Sequence, residues 1–213
     1  MRNRRIMPPR KPVFAIIVEG ECEFWYFQML KRNERSIRVD LKPEIPQRKK
    51  LEDQFKRVVE YSKDYDKVFW IVDFDVVISE SHMALKGKKS LLQEFKQCFN
   101  ELKNNYKNVV VIVNNPCLEY WLLLHFEATG KYFNNCAGAV KQLLKYLPDY
   151  EKTEKYYTKS NQDIYLKLKP RLNTAINDAK TLTDFDLETP EIGITQMHFL
   201  FEEDEIKEIL KLK

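Results

Sequence analysis

The chain has 213 residues, 44% hydrophobic and 32% charged, with a net charge of +4 and five glycines. Length and balance fit one folded domain with an appendage, and a core large enough to stand without disulfides or zinc. Usual glycine usage would give about 15, and Gly20, Gly87, Gly130, Gly138 and Gly193 form neither G-x-G-x-x-G nor G-x-x-x-x-G-K-[ST], which excludes the two glycine-rich nucleotide loops.

Residues 1–12 form a basic arm, with Arg2, Arg4, Arg5, Arg10 and Lys11 and no acid, suited to phosphate or an acidic partner or equally to a disordered terminus without function. Val13 to Val18 is a continuous apolar run rich in β-branched residues and reads as a strand buried on both faces. Glu21 to Arg32 follows as a helix. Ile37 to Lys42 alternates as a half-exposed edge strand, which Pro43 and Pro46 end. Leu51 to Tyr61 is a second helix. Lys67 to Val72 is a second buried strand, stopped by Asp73 and Asp75. A polar loop with Gly87 leads to a helix near 90–102. Val109 to Val113 is a third buried strand, and Asn115 and Pro116 open an apolar helix as N-cap and first helical residue. This alternation predicts an α/β core over 13–130 with a mostly parallel sheet of about four strands, ordered 2-1-3-4 if the first strand is central. Residues 131–213 read as a mostly helical part packed on that core, with helices around Leu143, Ile164 and Leu172 and a break at Pro170.

Cys22, Cys98, Cys117 and Cys136 are scattered without a C-x-x-C pair, which predicts reduced thiols and a cytoplasmic location. His82, His125 and His198 make no zinc set, and His125 lies in an apolar run as a core histidine. No apolar run reaches the ~20 residues of a membrane span, so no membrane partner is expected.

The apolar strands end in acids. Glu19 follows the first and Asp73 and Asp75 follow the second, while Glu119 lies one turn into the helix after the third. In an open α/β sheet, ligands bind beyond the carboxyl ends of the strands at the point where strand order reverses. Asp73 and Asp75 are two apart and Glu19 and Glu23 four apart, so each pair can face one side. Carboxylates gathered this way repel by roughly 4 kcal/mol per pair at 4 Å and an effective ε of ~20. A hard divalent cation relieves that repulsion, and oxygen ligands favour Mg²⁺ or Mn²⁺.

These residues also carry a resemblance. Val18 to Glu23 fits the E-G-x-x-E signature of Toprim domains, and Val72 to Asp75 their D-x-D motif. Asn114 to Phe126 resembles the N-P-C-x-E-x-W-L-L-L-H-F segment of the RloB family, a Toprim-like group found beside bacterial restriction-modification and abortive-infection genes. The resemblance covers about 13–200 and implies a Toprim-like, Rossmannoid fold and a Mg²⁺-dependent nuclease role in antiphage defence. It implies Glu19, Asp73 and Asp75 as catalytic and metal-binding residues, with Glu23 and Glu119 as further metal ligands. Lys159 is the candidate catalytic lysine.

DNA or RNA is the expected partner, cleaved with one or two metal ions, and Glu19 is a possible general base in the one-metal case. Interleaved lysines and tyrosines over 141–171 suit backbone-tracking binding or a solvated helix face. A rival expectation is a non-enzymatic binding module that partners or regulates a defence ATPase. Small-molecule phosphoryl transfer is disfavoured by the missing nucleotide loop. Assembly into homo-oligomers is left open.

Overall fold

The three apolar runs become the middle of one sheet. A computed structural model describes residues 10–212 apart from 38, 47–49 and 85–87. Arg2, Arg4 and Arg5 of the basic arm and Gly87 lie outside the described residues. Strand β1 (Val13–Ile17) lies between β2 (Asp40–Glu44) and β3 (Lys67–Asp73), and β4 (Val109–Asn115) follows β3. These four run parallel in the expected order, and β5 (Ile194–Thr195) adds antiparallel to β4 as a fifth strand. Two residues are too short to carry a periodic signal, so β5 is an addition to the expected sheet.

Alternation along the strands splits the core into two layers. Phe14, Ile16, Phe69, Ile71 and Ile112 face α1 (Glu21–Asn33) and the later helices. Ala15, Ile17, Val68, Trp70 and Val72 face α2 (Leu51–Tyr61), α3 (Phe74–His82) and α4 (Leu91–Asn105). Helices cover both faces, the arrangement that parallel strands require.

The structure corrects three local expectations. The outer strand spans Asp40–Glu44 and includes Pro43, opposite Ile16, instead of ending there. An edge strand has one open side, where a missing N–H removes no ladder bond. The segment after Asp73 is helix α3 rather than loop, and it buries Phe74, Val77 and Ile78 at helical spacing. Asn115 ends β4 instead of capping a helix; its bond to Pro116 is cis, and α5 (Leu118–Leu124) is capped by Cys117.

Beyond 131 come α6 (Cys136–Leu143), α7 (Glu154–Thr158), α8 (Ile164–Leu168), a 3₁₀ turn at Lys169–Arg171 containing Pro170, α9 (Leu172–Thr181), α10 (His198–Phe201) and α11 (Asp204–Leu210). Tyr157, Leu168, Ile176 and Phe201 share one core with Tyr26, Leu30 and Trp121. Asp163 fastens this part to α1. It is buried, caps α8 through the amide of Leu166 at 3.0 Å, and accepts from Arg32 at 2.9 Å and from Asn33. Loss of a cap and of a charge-assisted bond sets the scale of the Asp163→Ala variant: unfolding free energy falls by about 2–4 kcal/mol, read from the urea midpoint, and a loss below about 1 kcal/mol contradicts this anchoring role.

Candidate metal centre at the carboxyl ends of the strands

Glu19 leaves β1 through buried Val18, and Asp73 is the last residue of β3, in register with Asn114 of β4. Glu23 and Asp75 stand in the first turns of α1 and α3, and Glu119 in the first turn of α5. The crevice between β1 and β3, where connections leave to opposite faces, collects all five. Asp73 is their common neighbour: Glu23, Glu19, Glu119 and Asp75 all act on its charge. Its Oδ1 is buried with no hydrogen-bond partner.

The site is over-supplied with negative charge. Burial, then Glu23 and Asp75, push Glu19 up to about 8, against hydrogen bonds from the Gln54 side chain and the Asp73 backbone. Glu23 is raised by burial and then by Glu119, although it shares a side-chain hydrogen bond with Asp73. Asp73 is raised well above the usual carboxylate range by burial and then by its four acidic neighbours. Asp75 is raised by burial, while the amide of Cys136 bonds Oδ2 at 2.9 Å and pulls the other way. Gly20 makes room for this crowding. A Cβ there would stand 2.7 Å from Glu23 Oε2, so a side chain at position 20 would push that flexible carboxylate aside.

Glu119 is the hub on the side of the later helices. Lys152 pairs with its Oε1 at 2.7 Å, and the Tyr150 hydroxyl donates to the same oxygen at 2.5 Å. Tyr150 bonds Tyr157 at 2.7 Å, and Tyr157 bonds the Cys22 thiol, which burial pushes up to about 12. Cys117 and Cys136 form a disulfide, contrary to the expectation of reduced thiols throughout, and only Cys22 and Cys98 are free. The chain returns from α5 through the 125–135 loop and sets Cys136 beside Cys117, an approach that a separation of 19 residues conceals.

The expected carboxylates, Glu19, Glu23, Asp73, Asp75 and Glu119, are thus brought to one crevice. Lys159 is not with them; it follows α7, exposed, and its charge acts on Asp149. Lys152 takes the place at the centre, from the lysine- and tyrosine-rich stretch that the sequence marks. The tyrosines of that stretch are no stacking platform: Tyr150, Tyr156, Tyr157 and Tyr165 are buried, and Tyr146 lies on Phe126. Gln54, which hydrogen-bonds Glu19 while accepting from Trp70 at 2.8 Å, carries no motif that would reveal it. His125 is buried and held down at about 4 by desolvation, a core residue as expected.

The donors suit a hard cation: oxygen ligands, crowded carboxyl groups and an orphaned Asp73 oxygen. Among the described residues, however, the trio of ligand-type atoms within 4.8 Å of one another is Cys117, Glu119 and Cys136 rather than three carboxylates, and the disulfide removes its two sulfurs as thiolate ligands. Glu19 opens toward a cavity of about 440 Å³ that Lys50, Gln54, Val77, Glu80 and Glu94 also line. Among the described residues no helix is long and apolar enough to cross a membrane.

The sequence profile described as RloB-like protein matches residues 14–203. No curated protein and no solved structure matches the chain.

Carboxyls with raised pKa hold protons in the folded chain that the unfolded chain has already released, so their contribution to stability is full below about pH 4 and is lost as pH rises, for Glu19 through about 8. In chelator, the melting temperature falls between pH 6 and pH 8.5, by about 2–4 °C for each kcal/mol lost. Glu19→Gln flattens that slope, and added Mn²⁺ raises the melting temperature most at the alkaline end. A melting temperature that climbs over this range in chelator contradicts the crowded-carboxylate picture.

Proposed function

This chain belongs to the RloB-like protein family, and we propose that it is a divalent-metal-dependent phosphodiesterase acting on nucleic acid, with the antiphage role that the resemblance implies. The observation that carries the reading is Asp73, whose charge is opposed by four further carboxylates at the one crevice where an open α/β sheet binds its ligands. A fold that gathers this much negative charge destabilises itself unless a cation neutralises it. Asp73, Glu23, Glu19, Asp75 and Glu119 are the residues that would hold Mg²⁺ or Mn²⁺. When bound, such an ion supplies Lewis-acid polarisation of a phosphodiester.

The chain's own groups supply the rest. Glu19 faces the cavity, and its carboxylate form, once the crowding of like charge is relieved, can take a proton there. Its amide partner Gln54 fixes the carboxylate's orientation. Lys152 brings the cation that can meet phosphate charge beside Glu119, and Glu119 holds its ammonium in place. Exposed Lys141, Lys145 and Lys155 lie outside the acidic crevice and favour a polyanion over a small substrate. A cytoplasmic location belongs to the same proposal.

Cleavage of single- and double-stranded DNA and RNA is measured with Mg²⁺, Mn²⁺ or chelator. Cleavage requires the cation, and Asp73→Asn reduces it by about 10²-fold or more while the melting temperature in chelator holds or rises. Lys152→Ala reduces it comparably and Lys159→Ala leaves it within about twofold. No cleavage of any of these substrates, together with no Mn²⁺ binding, overturns the proposal, and tight capture of an ATPase unaffected by Asp73→Asn replaces it with the binding-module reading.

A further inference from the structure

The Cys117–Cys136 disulfide lies against the acidic centre at both ends. Cys117 caps α5 two residues before Glu119. Cys136 begins α6 and donates its N–H to Asp75 Oδ2 at 2.9 Å. Lys152, the partner of Glu119, also reaches Cys136 Sγ at 3.2 Å. We propose that Cys117 and Cys136 are a reversible thiol–disulfide modification site that sets how tightly the acidic centre holds a divalent cation, the disulfide form holding it more tightly. The cation half of this proposal rests on the metal reading above.

Two contacts give the direction. Both sulfurs stand 2.9 Å from Glu119 Oε2. In the disulfide neither sulfur carries a proton, so this oxygen gains no hydrogen bond from them and its lone pairs are not committed to either sulfur. Reduction places an S–H donor on each sulfur, facing the same oxygen. Glu119, already accepting from Tyr150 and Lys152 through Oε1, is then engaged on both oxygens. The second contact is the tether. With the S–S bond closed, the first turn of α6 cannot leave that of α5, and the Cys136 amide stays on Asp75. Reduction leaves α6 held by Ala139 and Leu143, on later turns.

The chemistry balances as thiol–disulfide exchange with a dithiol reductant. Its thiolate attacks Cys136 Sγ, which is partly exposed, and Cys117 leaves as thiolate from its buried position. The second thiol of the reductant then resolves the mixed disulfide. Two electrons and two protons pass to the protein, and the reductant becomes a disulfide. Cytosolic disulfides that do form tend to be transient, catalytic or redox-sensing rather than structural, and this pair touches three groups of the candidate centre.

The test uses the full chain equilibrated with reduced or oxidised dithiothreitol. Alkylation followed by intact mass counts free thiols: two in the oxidised protein, from Cys22 and Cys98, and four after reduction. Amide exchange over 134–139, without metal, reads the tether. Protection lost on reduction supports it; equal protection, or four free thiols under oxidising conditions, overturns it. Mn²⁺ affinity is then titrated in each state. A dissociation constant weaker by about fivefold or more in the reduced state supports the coupling, and equal constants overturn it. Loss of the difference in a Cys117→Ser, Cys136→Ser double variant assigns it to this pair, and its persistence there overturns the assignment. Absence of Mn²⁺ binding in both states overturns the metal reading and the coupling built on it, while the exchange result still decides the tether.

Discussion

Carboxylate repulsion at one crevice is the constraint around which this protein is built. Asp73 ends the central strand with one oxygen unpartnered, and four other acids act on it. Burying like charges costs several kcal/mol unless protons or a cation relieve them. The fold supplies partial relief through the Glu23–Asp73 hydrogen bond, Gln54 on Glu19, the Cys136 amide on Asp75 and Lys152 on Glu119. Each of these reaches the site from a different element, so the arrangement depends on the whole sheet order β2-β1-β3-β4-β5. The same reversal of connections that opens the crevice between β1 and β3 places α1 and α5 on one face and α2 and α3 on the other.

The helices after residue 131 complete this crevice as well as the core. Tyr150 and Lys152 both bond Glu119, and Cys136 bonds Asp75. Asp163, buried under Arg32 and Asn33, fixes the same helices to α1, which carries Glu23. Displacing them would therefore take the Lys152 ammonium off Glu119, and would expose Tyr157 and Trp121 from the shared core. Stability and the electrostatics of the site are two consequences of one packing interface.

Much of the site was legible because it follows the local rule that buried parallel strands end abruptly. Val13 to Val18 and Lys67 to Val72 are apolar on both faces, so an acid immediately after them has to lie at a strand end. Glu23 and Glu119 follow from helical spacing after those ends. Pro43 misled because proline usually stops a strand, but the outer side of an edge strand has no ladder to interrupt. Helix α3 was hidden because F-D-V-V-I serves a strand or a helix equally until its neighbours are known. Lys152 and Lys159 are seven residues apart in similar surroundings, and only the turn between α6 and α7 decides which of them faces inward.

Sequence alone determined the α/β alternation, the RloB-like motifs and the acids at the strand ends, because hydrophobic period and strand length are properties of contiguous residues. Tertiary structure decided the Cys117–Cys136 bond, the choice of Lys152, the hydroxyls on Glu119, the Gln54 contact and the fifth strand. Each of these joins segments that only the packing of α1, α5 and the later helices brings together. No periodicity encodes such pairings, since they depend on which loop ends meet in space and on the room that glycine at position 20 leaves for a folded-back carboxylate.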